Sequence, residues 1–71
     1  MTKIEIAKEL VEITKELDPY EFADNYSSEE EAITDMLELL ESKSWKIIVD
    51  GYLSQFVDGN QKQEYLNRLG I

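Results

Sequence analysis

Between Ser27 and Ser42 the chain reads SSEEEAITDMLELLES, with six carboxylates, six apolar side chains and no Lys or Arg. Carboxylates at this density have three chemical uses. They can share protons as a general acid and base, hold a hard cation, or present negative charge to cationic groups on another molecule.

Acid–base catalysis finds little support. The sequence has no His and no Cys, so the usual general base, the thiol nucleophile and most transition-metal ligands are missing. A carboxylate pair could replace them only inside a pocket that separates the two pKa values, and 71 residues leave little room for one. The expectation is a protein that is not an enzyme and carries no cofactor. Calcium chelation fails on spacing. An EF-hand loop needs oxygen ligands at its first, third and fifth positions, but DNYSSEEEAITD puts Tyr26 third and DGNQKQEYLNRL puts Lys62 fifth. Acyl carrier proteins are also small acidic bundles, with a phosphopantetheine-bearing Ser between Asp and Leu; NYSSEEE supplies neither neighbour.

Charge presentation remains. Glu29, Glu30 and Glu31 fall where a helix would begin, so they complement its dipole, and Glu31 is placed to close a capping box with Ser28. Asp35, Glu38 and Glu41 have no such local use. They follow one another at i, i+3 spacing in the middle and last turns, where each like-charged pair costs ~0.2–0.5 kcal/mol and the dipole disfavours anions. At ~100° per residue, Glu30, Glu31, Asp35, Glu38 and Glu41 span about 140° opposite the Leu and Ile positions. The asymmetry extends beyond this helix. Glu16 to Ser42 holds ten acids and no base, whereas the rest holds six acids and seven bases, for a net charge of −9.

A net charge of this sign opposes contact with nucleic acid or an anionic membrane and favours basic partners. The pattern therefore points to a non-enzymatic acidic protein-binding module. One form would be a nucleic-acid mimic that inhibits or modulates a basic nucleic-acid-binding protein, of the kind phages and mobile elements use. The residues expected to meet the partner are Asp24, Glu30, Glu31, Asp35, Glu38 and Glu41. The alternative is a helical interaction module or homodimer using an apolar face around Trp45, Ile47 and Tyr52, beside the small residues Gly51 and Ser54.

The elements that position these residues are all helical. Chains this short bury only about 60% of their unfolded surface, which leaves one core and one domain over residues 1–71. The first helix spans 3–17, with Thr2 and Glu5 as a capping box and Ile4, Ile6, Ala7, Leu10, Val11, Ile13 and Leu17 on one half of the wheel. Lys8 and Lys15 interrupt its acidic face. Asp18-Pro19 restarts the chain as a short helix over 19–25, with Glu21 completing a second box and Phe22, Ala23 and Tyr26 pointing inward.

A third helix covers 28–41. The segment SWKIIVDGYLSQFV is ambiguous, because Asp50-Gly51 between apolar runs is also a hairpin signal. Helical period prevails: Trp45, Ile48, Val49, Tyr52, Leu53, Phe56 and Val57 share an arc of about 180°, with Ile47 outside it, so the helix is set at 45–57. Gly51 within it would mark the close approach of another backbone. Asn60 then caps a last helix over 61–69, and Gly70 with Ile71 fits a Schellman ending in which Ile71 meets Leu66. The expected fold is an all-α compact bundle of four to five short helices. MTKIEIAKELVEI breaks its apolar residues with charges too often for a signal-peptide core, so a cytoplasmic protein is expected.

Overall fold

A computed structural model describes residues 2–70. The chain forms five helices, α1 (Lys3–Leu17), α2 (Pro19–Asn25), α3 (Glu29–Leu40), α4 (Trp45–Ser54) and α5 (Gly59–Arg68), and no strand among the described residues. The all-α architecture is the one that the period of the apolar residues predicts.

Short side chains set the helix boundaries. Thr2 accepts from the Glu5 amide while the Glu5 carboxylate reaches back to the Thr2 amide at 3.1 Å, a complete capping box. Asp18 serves two helices at once. Its amide donates to the Thr14 carbonyl at the end of α1, and its carboxylate accepts from the Glu21 amide at 3.0 Å to start α2. Pro19 makes this junction abrupt, because it disfavours helical geometry at Asp18 yet suits the first position of α2.

Several expectations give way at other boundaries. Glu21 does not complete a box; its carboxylate accepts from Asn25 Nδ2 one turn on, at 3.2 Å. Ser28 caps α3, but Glu31 reaches past it to the amide and hydroxyl of Ser27. The helix α4 ends at Ser54, three residues before Val57, and residues 55–57 form a turn. The cap of α5 is Asp58 rather than Asn60: its carboxylate accepts from the Gln61 amide at 2.9 Å, so the helix starts earlier and absorbs Gly59 and Asn60. Gly70 adopts φ 75° and donates its amide to the Asn67 carbonyl at 3.1 Å, half of a Schellman closure. The expected Ile71–Leu66 contact lies outside the described residues.

α1 and α3 form the most extensive helix pair and run antiparallel. Lys15 near the end of α1 meets Glu29 at the start of α3, and Lys3 at the start of α1 meets Glu41 at the end of α3. Ala7, Leu10 and Ile13 of α1, Leu40 of α3, Val49 and Leu53 of α4 and Leu69 after α5 form the buried cluster. Burying such side chains is worth ~1.5–3 kcal/mol each, so this cluster is the main cohesive term.

The wheel places most side chains correctly. Ile4, Ala23, Ile48 and Phe56 are exceptions, being exposed rather than inward. In a helix of seven residues such as α2, a two-turn arc is too short to fix which side faces the core. Gly51 is also corrected, since no atom lies within 4 Å of where its Cβ would stand.

Candidate acidic docking face

The sequence leaves open whether the chain's own cations, brought in by folding, neutralise the acidic segment. Four of the seven cations make ion pairs among the described residues: Lys3, Lys15, Lys62 and Arg68. Lys62 serves α4, meeting Asp50 at 3.2 Å and Ser54 Oγ at 3.2 Å. Arg68 forks onto Glu16, with Nη1 to Oε2 at 3.0 Å and Nη2 to Oε1 at 3.3 Å, while its Nε donates to Glu9 at 2.7 Å.

Among the described residues, only three of the ten acids from Glu16 to Ser42 therefore meet a cation: Glu16, Glu29 and Glu41. The antiparallel partner α1 explains which ones. Its Lys3 and Lys15 sit at the two ends of α3, so the stripe is neutralised at Glu29 and Glu41 and left bare between them. Glu30, Glu31, Asp35 and Glu38 are exposed and have no cation within pairing distance among the described residues.

The candidate residues thus separate into groups. Glu31, Asp35 and Glu38 line one open depression together with Asn25, Tyr26 and Thr34. Glu30 lies on the same exposed helix beside it. Glu41 is engaged by Lys3 Nζ at 3.3 Å. Asp24, on α2, is exposed and stands outside the depression. Period alone does not single out Tyr26, which the structure adds to the site. Its hydroxyl donates to Asp35 Oδ2 at 2.5 Å.

Electrostatics in the depression follow from these contacts. Burial, reinforced by the hydrogen bond to Asp35 and by the nearby Glu31 charge, pushes the Tyr26 phenol up to about 12. The hydroxyl and amide of Ser27 hold the Glu31 carboxyl below its ordinary value, outweighing the opposing effects of desolvation and of Asp35. Tyr26 is therefore a neutral donor at physiological pH, and the Ser27 contacts favour the ionised form of Glu31.

Among the described residues, no group of three carboxylates converges as metal ligands would, and no polar side chain is buried. No helix there is long and apolar enough to cross a membrane.

An apolar cleft adjoins the depression. It has a volume of about 240 Å³ and lies between α2 and α4 over a floor of α1 and α3, sharing Asn25 and Tyr26 with the acidic side. On the far side of α4, Ile47 is 76% exposed, off the core arc as its wheel position requires. Trp45 is half-buried with Lys46 Nζ 5.8 Å from the centre of its ring, and Tyr52 packs on Phe56 at 4.9 Å.

Comparison with protein-family models, with curated proteins and with solved structures returned no match.

Proposed function

We propose that the chain is a non-enzymatic docking module whose α3 face binds a Lys- and Arg-rich surface of another protein. The observation that carries this reading is the bare centre of α3. Glu30, Glu31, Asp35 and Glu38 share an exposed face of α3, and the two cations that reach this helix among the described residues, Lys3 and Lys15, meet it only at its ends.

The spacing of these charges favours a nucleic-acid-binding protein as the partner. Glu30 to Glu38 covers about 12 Å of axis at ~1.5 Å per residue, so four carboxylates stand at an average interval of roughly 4 Å, near the ~3.4 Å per phosphate of one DNA strand. A groove built to meet phosphates would meet these carboxylates at a similar linear density. Occupying that groove would inhibit or modulate the partner, the use that phages and mobile elements make of such mimics.

A pull-down across a salt series tests this, comparing the native chain with an Asp35→Asn/Glu38→Gln variant and a Glu12→Gln/Glu64→Gln control of equal charge. A mimic retains a basic nucleic-acid-binding protein at low salt, releases it by about 200 mM and loses it in the first variant only. Equal retention by both variants would make the face an ordinary solvated surface.

A second reading rests on Ile47, whose exposure alongside the exposed Ile48 and Phe56 would suit an apolar helix–helix contact or a homodimer. Such a complex would be almost insensitive to salt, and sedimentation at several concentrations would reveal it.

A further inference from the structure

The apolar cleft beside the acidic depression has no role in charge presentation alone. Its walls are Phe22 and Tyr26 on one side and Ile48 and Tyr52 on the other, with Met36 and Leu39 contributed by α3. Of its polar side chains, Thr14 Oγ donates to the Leu10 carbonyl at 2.8 Å, the Tyr26 hydroxyl is held by Asp35, and the Glu21 carboxylate accepts from Asn25 Nδ2 at 3.2 Å. What it offers a ligand is apolar surface, and Ile48 at its edge is 48% exposed.

We propose that this cleft seats one bulky apolar side chain, aromatic or leucine-sized, from a basic segment of the partner protein. The Lys and Arg flanking that anchor meet Glu31, Asp35 and Glu38 next door. The inference deepens the docking reading above and rests on it.

Three observations select this occupant. The volume of about 240 Å³ exceeds the ~150 Å³ that accommodates a benzene ring but is far too small for a helix. Met36 in the wall adapts to rings and branched chains alike. Charge then fixes the surroundings of the anchor. Tyr26 belongs to both sites, with its ring in the cleft and its hydroxyl on Asp35, so an anchored segment places its neighbouring residues against carboxylates. A second copy of this chain, carrying −9, would be repelled there, as would a nucleic acid.

The test uses the full chain and two dye-labelled synthetic peptides, each with Lys and Arg flanking a central position that is Trp in one and Ala in the other. Anisotropy titrations at about 50 mM salt should show the Trp peptide binding roughly tenfold or more tightly. Ile48→Gln, at a half-exposed position, should remove that advantage without changing the Ala peptide. Asp35→Asn/Glu38→Gln should weaken both peptides. Equal binding of both peptides, still sensitive to the acidic substitutions, would overturn the cleft proposal and leave the docking face standing. Equal weak binding of both, indifferent to Asp35 and Glu38, would overturn the docking face itself.

Discussion

Tyr26 donates its hydroxyl to Asp35 Oδ2 at 2.5 Å, tying the loop after α2 to the middle of α3. This contact explains how one of the bare carboxylates is oriented without being neutralised. A phenol satisfies one lone pair and leaves the full negative charge facing outward.

The bond carries a pH signature. Burial first, and then Asp35, raises the Tyr26 phenol from 10.0 to about 12, so folding favours the protonated form. The stabilisation is fully present below the unfolded value and is lost as pH rises through the folded one. Alkaline difference spectroscopy should show a tyrosine ionising near pH 12, with unfolding setting in across the same interval. Tyr26→Phe should abolish that late phase, and Asp35→Asn should bring it earlier.

Arg68 is the most connected surface charge. It spans Glu9 and Glu16 of α1 and lies 5.5 Å from the centre of the Tyr65 ring, so it fastens the end of α5 to the first helix. Exposed pairs are individually weak, at ~0–1 kcal/mol, but a planar fork onto two carboxylates loses little entropy per bond. Arg68→Ala should cost about 1 kcal/mol in urea denaturation, a loss that shrinks at high salt. Arg68→Lys should recover less than half, because an ammonium cannot reproduce the fork.

Gly51 lies within α4 with open space where its Cβ would be, and its φ is not positive. Gly51→Ala should therefore stabilise the chain by ~1 kcal/mol through helix propensity alone. The same substitution separates the two functional readings. If a second copy packed closely on the Gly51 and Ser54 surface, the added methyl would weaken self-association measured by sedimentation; a docking module acting through α3 would be unaffected.

Much of this architecture was written locally. Thr2 with Glu5, and Asp18 with Pro19, mark helix boundaries through contacts three residues apart or fewer, and these sit where their spacing requires. The N-terminal boundary of α5 was harder to place, because Asp58 and Asn60 are both competent caps and only the built helix shows which carboxylate or amide oxygen meets a free amide. Gly51 invited the idea of a close neighbour, but space around a residue is a tertiary property.

The same limit applies to the site. The absence of cations from Glu16 to Ser42 is plain in the sequence, whereas the delivery of Lys3 and Lys15 to the two ends of α3 depends on antiparallel pairing with α1. Tyr26 and the cleft were hidden for a similar reason, since their neighbours come from four different helices.

Glu38 offers the clearest separation of stability from function. It stands between Asp35 and Glu41 at i±3 in the C-terminal half of α3, where the dipole disfavours an anion. Glu38→Lys would turn two like-charged pairs into opposite ones and complement the helix end, for a gain of about 0.5–1 kcal/mol. Thermal denaturation should show a higher midpoint and binding to a basic partner should fall. A surface that is acidic only for solubility would gain the stability and lose nothing, because any charge of either sign keeps such a face in water. A docking face must give up its partner in exchange, and that pairing of outcomes in one variant distinguishes a carboxylate that serves binding from one that merely solvates.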